Sequence, residues 1–186
     1  MKKLALLLVV LLLAIPFFVK DQGPVEFCGV PVDGHVDTFV AKMAQMGYTE
    51  IGRDVRKVTM AGKFTGRDAR MQIYYTPTTK TVYAVYPYFE KLTNWADLKS
   101  MYFEYKAMCI KQHRWYRVKS YELFNAPYKE GDGNEMRAGE EEECIYRTEL
   151  HGRNAEIAVF ITSDCDVTLG YINPKNDALN EAEING

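Results

Sequence analysis

Apolar and polar positions divide the chain into an opening block, two helical stretches and a series of alternating ones. Leu4 to Val19 runs sixteen residues without a charge, behind Lys2 and Lys3 and ahead of Lys20. A positive flank followed by an apolar run marks an export signal or a membrane anchor. The small-x-small spacing of a cleavage site is missing: two residues before Ala14, Gly23 and Gly29 stand Leu12, Asp21 and Phe27. Val25, Glu26 and Phe27 ahead of Cys28 also fit lipid attachment poorly. The run falls just short of the roughly 17 to 25 residues that span a bilayer. Residues 1–22 therefore read as a signal peptide or an N-terminal anchor. The rest is expected outside the cytosol, as a periplasmic, envelope-associated or secreted domain.

Pro24, Gly29 and Pro31 make Gly23 to Gly34 an extended lead-in. Val36, Phe39, Val40, Met43 and Met46 then recur at helical spacing, with Asp37 in the first turn and Gly47 as the stop. Alternation takes over at Val58, Met60 and Phe64, where Gly62 marks a bulge, and again at Met71, Ile73 and Tyr75. Pro77 to Lys80 is a turn, and Thr81 to Phe89 a third strand, which Pro87 assigns to a sheet edge or a strand end. Asn94 caps a second helix with its stripe on Leu98, Met101, Tyr102, Tyr105, Met108 and Cys109, running to about Gln112. Four more strands are predicted at Trp115–Leu123, Glu143–Leu150, Ala155–Thr162 and Cys165–Ile172, the last three after an acidic, glycine-bearing loop over 125–142. Residues 173–186 have no apolar period and read as a polar tail that frays.

The order is helix, three strands, helix, four strands, within one domain over 23–172. Each helix has one apolar stripe and each strand group one apolar face. Burial then requires a two-layer α+β sandwich, an antiparallel sheet with helices on one face. The two halves share a plan, a tandem of helix-plus-antiparallel-strand units, although no residue-level repeat is visible.

Charge narrows the partners. The formal value is −2, or −4 without Lys2 and Lys3, and no basic patch offers itself to phosphates. Nucleic acid is excluded as a class, and the only membrane contact expected is through the N-terminal segment. Cys28, Cys109, Cys144 and Cys165 allow three disulfide connectivities in an exported chain, or none if they are small buried hydrophobes. Tight turns at His151–Asn154 and Ser163-Asp164 would pair Leu150 with Ala155 and Thr162 with Cys165. Cys144 and Cys165 then lie two strands apart, about 9.6 Å, beyond the roughly 7 Å limit for bridged Cα atoms. Cys109, on a helix packed over that sheet, would be a better partner for either.

Reactive patterns are sparse. Cys109 and His113 share a helix face, but neither Cys-x-x-Cys nor His-Glu-x-x-His occurs, and His35 and His151 fall in loops. Glu140 to Glu143 lack the EF-hand order and read as a solvated loop. No metal or cofactor is expected. The remaining hint is aromatic: thirteen tyrosines, with Tyr74, Tyr75, Tyr83, Tyr86 and Tyr88 crowded onto two adjacent strands. Tyr74 alternates onto the polar side with Gln72 and Thr76. Tyrosine on a wet face offers contact area and a polar tip, as binding surfaces use it, so Tyr74, Tyr83, Tyr86 and Tyr88 are the candidate binding residues.

Phe27-Cys-Gly-Val-Pro-Val-Asp-Gly34, the helix at Phe39 and Gly47-Tyr48 resemble the opening of small exported proteins of unknown function from gut-type anaerobic bacteria. Tyr74-Tyr75, Trp95 to Leu98 and Cys165 to Tyr171 fall where that family has its strands and second helix. The resemblance implies an exported α+β domain and brings no catalytic residues. The element order is also similar to the tandem unit of the β-lactamase-inhibitor-protein-like fold, which serves protein binding. The expected function is a non-catalytic module that binds a protein or ligand of the cell envelope. The alternatives are an envelope hydrolase, with a histidine or cysteine meeting carboxylates in a deep pocket, and a structural envelope protein held by an uncleaved N-terminus.

Overall fold

Eight strands hydrogen-bond into one antiparallel sheet in the computed structural model, which describes residues 23–186. The expected signal peptide or N-terminal anchor, residues 1–22, lies outside the described residues. A small hairpin, β1 (Glu26–Phe27) and β2 (Val30–Pro31), leads into α1 (Val36–Gln45). Then come β3 (Thr49–Arg53), β4 (Lys57–Phe64), β5 (Arg67–Tyr75) and β6 (Val82–Tyr88). The second half repeats the plan with α2 (Trp95–Gln112), β7 (Arg117–Phe124), the short α3 (Glu135–Glu140), β8 (Cys144–His151), β9 (Glu156–Ile161) and β10 (Val167–Ile172). Helix α4 (Pro174–Asn185) closes the chain.

The spatial order β3-β4-β5-β6-β10-β9-β8-β7 is a palindrome of two helix-plus-four-strand units joined at β6 and β10. This is the expected two-layer α+β sandwich. Val58, Ile73 and Val85 stand side by side on the inner face and continue into Tyr171 and Ile157. All are buried, together with Phe39 and Met43 of α1 and Leu98, Tyr105 and Cys109 of α2. Asn94 caps α2 as expected, its Oδ1 accepting from Asp97 N at 2.9 Å.

Five expectations need correction. A fourth strand, β3, precedes the first meander; all five of its residues are exposed, so no alternation betrays it. Gly62 does not bulge, because β4 and β5 pair continuously through Gly62–Ala69; the register shifts lie at Glu50/Gly52 and Tyr74/Tyr75. Pro87 sits in a central strand, where the β6–β10 pairing is interrupted between Val85 and Tyr88. The late turns are wider than expected: Leu150 pairs with Ile157 and Ile161 with Val167, around a left-handed Cys165 at φ 55°.

The tail is the fifth. It is a helix held by polar contacts instead of an apolar stripe. Asn173 caps it and donates to Val32 O at 3.0 Å, Asn176 donates to Val82 O at 2.9 Å, and Glu183 accepts from Thr78 N at 2.6 Å.

A residue-level repeat emerges only in three dimensions. Tyr48 follows α1 and lies across Gly62 of the next strand, where a Cβ would meet the ring at 2.3 Å. Tyr116 follows α2 and lies across Gly152, at 2.7 Å from such a Cβ. The pairings Thr49–Ala61 and Arg117–His151 put both pairs at the same place in their units, one step beyond the first ladder pair. Both glycines admit a tyrosine ring against the backbone.

Candidate functional site

Helices α1 and α2 cover one face of the sheet, and the opposite, outer face carries the candidate tyrosines. Alternation along β5 turns Arg70, Gln72 and Tyr74 outward, and their partners on β6 are Tyr88, Tyr86 and Ala84. All four candidates, Tyr74, Tyr83, Tyr86 and Tyr88, are half-buried. Tyr74 gathers two of them: its ring meets Tyr86 edge-on at 5.6 Å between centroids and Tyr83 at 6.1 Å. Its hydroxyl donates to Gln72 Oε1 at 2.6 Å. Tyr86 leans over Gly170 of β10, where a Cβ would come within 2.8 Å of the ring. Burial and the nearby Asp177 push the Tyr86 phenol up to about 12. The Tyr83 phenol is raised by the same two causes, against Arg56, which lowers it. Tyr83 and Tyr86 therefore stay neutral at ordinary pH and can donate and accept hydrogen bonds.

Tyr88 stands apart from this cluster, in a row with Ala61 and Arg70 across three strands. The row walls a groove of about 750 Å³ where β4, β5 and the end of β6 pass the α1–β3 turn. Met46, Asp68 and Lys91 are among its other lining residues. Asp68 pairs with Lys63 at 3.1 Å, and Lys91 with Glu140 at 3.0 Å. Arg70 has no ion pair or side-chain hydrogen bond among the described residues. A second groove, about 360 Å³, runs along the β3–β4 turn beside Tyr74. Arg70 was missed in the sequence, although the parity that turns Tyr74 outward turns Arg70 the same way. The groove itself depends on which strands become neighbours.

The other candidates disperse. All four cysteines are free thiols. Burial pushes both Cys109 and Cys144 up to about 12, so neither is the thiolate that nucleophilic chemistry needs. Cys28 lies 3.7 Å from the Tyr48 hydroxyl, and Cys165 donates to Met136 O at 3.6 Å. His35 caps α1, His113 ends α2, and His151 lies 3.2 Å from Glu149. No histidine or cysteine lines either groove. No group of three or more metal-ligating side chains occurs among the described residues. The stretch expected as an acidic loop contains α3 instead, with Ala138 and Gly139 buried; Glu140 at its end pairs with Lys91, and Glu141 with Arg137 at 2.8 Å.

A polar network lies on the helix side. Tyr102 shares a 2.7 Å bond with Thr148, which Ser120 meets at 2.9 Å, and Glu122 accepts from both Tyr102 and Lys106. Its members satisfy one another and no groove described above reaches them, so the network fixes α2 to β7 and β8. Comparison with protein-family models, curated proteins and solved structures found no match.

Proposed function

We propose that the chain is an exported, non-catalytic domain that binds a protein or ligand of the cell envelope through its outer face. The observation that carries this reading is the placement of Tyr74, Tyr83, Tyr86 and Tyr88, half-buried together on the face opposite α1 and α2. Tyr88 adds the groove and its unpaired Arg70. Tyrosine and arginine are among the residue types over-represented in binding hot spots. Export rests on Lys2, Lys3 and the apolar run from Leu4 to Val19. The resemblance of the element order to the β-lactamase-inhibitor-protein-like fold, an analogy of fold alone, favours a protein partner over a small molecule.

Affinity capture from the envelope of the native host, read by mass spectrometry, tests this. The parent chain should retain a partner, and so should Lys111→Ser, a change on the helix side. The double variant Tyr74→Ser, Tyr88→Ser should retain it about tenfold less or worse. Retention of nothing by the parent, or equal retention by all three, would refute the reading.

A further inference from the structure

The sheet ends in two edge strands that are protected very differently. β3 is five residues long, shifts register between Glu50 and Gly52, and has Arg53 clamped to Glu50 and to Asp37 of α1. A short, bulged edge is a poor template for another strand. β7 is eight residues long, pairs with β8 without a shift, and contains neither proline nor glycine.

Its backbone is open. Asn125 N donates to Glu143 O at 2.8 Å, so position 125 points at the β8 side. Directions alternate along an antiparallel strand. Val118, Ser120, Glu122 and Phe124 therefore turn their N–H and C=O groups outward, where no described residue takes them. Side chains are open as well: Val118 is 41%, Tyr121 46% and Leu123 42% exposed.

We propose that β7 pairs antiparallel with β7 of a second copy of this chain, about a two-fold axis at Tyr121. The edge is complementary to itself in one register. A two-fold axis normal to the sheet sets one residue of β7 against its own copy. Lys119 or Glu122 on the axis would oppose like charges, which destabilises. Ser120 on the axis would set Val118 against Glu122 and carry Phe124 past the strand end. Tyr121 on the axis opposes Val118 to Phe124 and Ser120 to Glu122, so every outward-facing residue finds a partner. The two tyrosines then meet at a close, non-hydrogen-bonded site, the aromatic pairing that stabilises neighbouring strands.

The test uses the full chain in a mild non-ionic detergent. Cys28→Ser removes the exposed native thiol, and Tyr121→Cys then places a thiol on the axis. Opposed Cα atoms at such a site lie about 4.5 Å apart, within disulfide range. Oxidation should give a linked dimer about tenfold faster, or more, than for Val55→Cys, which lies on the exposed β3–β4 turn. Tyr121→Lys, an exposed change that keeps the fold, should raise the dimer dissociation constant about tenfold in sedimentation. Equal cross-linking of the Tyr121→Cys and Val55→Cys variants, or a parent chain that stays monomeric at millimolar concentration, would overturn the proposal.

Discussion

The two units of this protein share a topology and differ in how they are finished. Each runs helix, then four antiparallel strands, and each lays a tyrosine over a glycine at the start of its sheet. The first unit has the short α1 and borrows the lead-in hairpin to complete its inner face, burying Phe27 and Val32. The second has the long α2, which reaches back to the first unit: Tyr105 shares a 2.9 Å bond with Thr65, and Glu104 accepts from Arg67 at 2.9 Å. The outer face differs too, with tyrosines on β5 and β6 but Arg147, Glu149, His151 and Glu156 on β8 and β9. Topology settles which strands pair. What each unit leaves exposed is settled by decoration: a tyrosine face in the first, an unpaired strand edge in the second.

The largest effect should come from the seam between the units. Phe64 is ringed by Phe27 at 5.3 Å, Tyr105 at 6.0 Å, Phe89 at 6.3 Å and Tyr171 at 6.5 Å, drawn from both halves and the lead-in. Phe64→Ala should cost about 3–5 kcal/mol in urea unfolding. Phe124→Ala, half-buried within the second unit, should cost less than half of that. Equal costs would mean that the units are not joined chiefly at this cluster.

Next comes the tyrosine–glycine repeat. Gly62→Ala drives a methyl into the buried Tyr48 ring and should cost about 1–3 kcal/mol. Gly152→Ala should cost less, because Tyr116 is more exposed and can swing outward. Adding Tyr48→Ser to Gly62→Ala should cost less than the sum of the single changes. Strict additivity would show that the ring contact is not the source of the strain.

The smallest effects are of opposite sign in the two units. Burial raises the Asp166 carboxyl in the β9–β10 turn, against the hydroxyls of Thr162 and Thr168, which lower it. A folded pKa above the unfolded one means that the fold holds the proton more tightly. Stability from this group is full below the unfolded value and falls as pH rises through the folded one. Asp166→Asn should therefore match the parent below about pH 4 and exceed it at pH 7. Glu50 is lowered, chiefly by its bond to Arg53, so its contribution is present at neutral pH and fades in acid. Glu50→Gln should weaken the chain slightly at pH 7 and match it in acid. Thermal melts across pH read both, and curves of the same sign would remove this contrast.

Much of the fold was legible because most of its elements bury one regular side. The stripes of α1 and α2 and the alternation in β4, β5 and the late strands report burial that repeats every few residues. Where an element buries little, or is held by polar groups, the pattern vanishes. β3 exposes every residue, and α4 is anchored by Asn173, Asn176 and Glu183. The candidate tyrosines were legible as residues of a wet strand face, whereas Arg70 beside Tyr88 was not, because only strand pairing brings them together.

The sequence by itself determined the fold class, helices α1 and α2, and the polarity of the strand faces. Tertiary structure alone decided the registers, the palindromic strand order, the Tyr48–Gly62 and Tyr116–Gly152 repeat, and which edge stays open. The reason is physical. Periodicity is a property of neighbours along the chain, and one face of burial writes it locally. Register and edges come from pairing residues far apart in sequence, where turn width and a single unpaired strand outweigh any local preference.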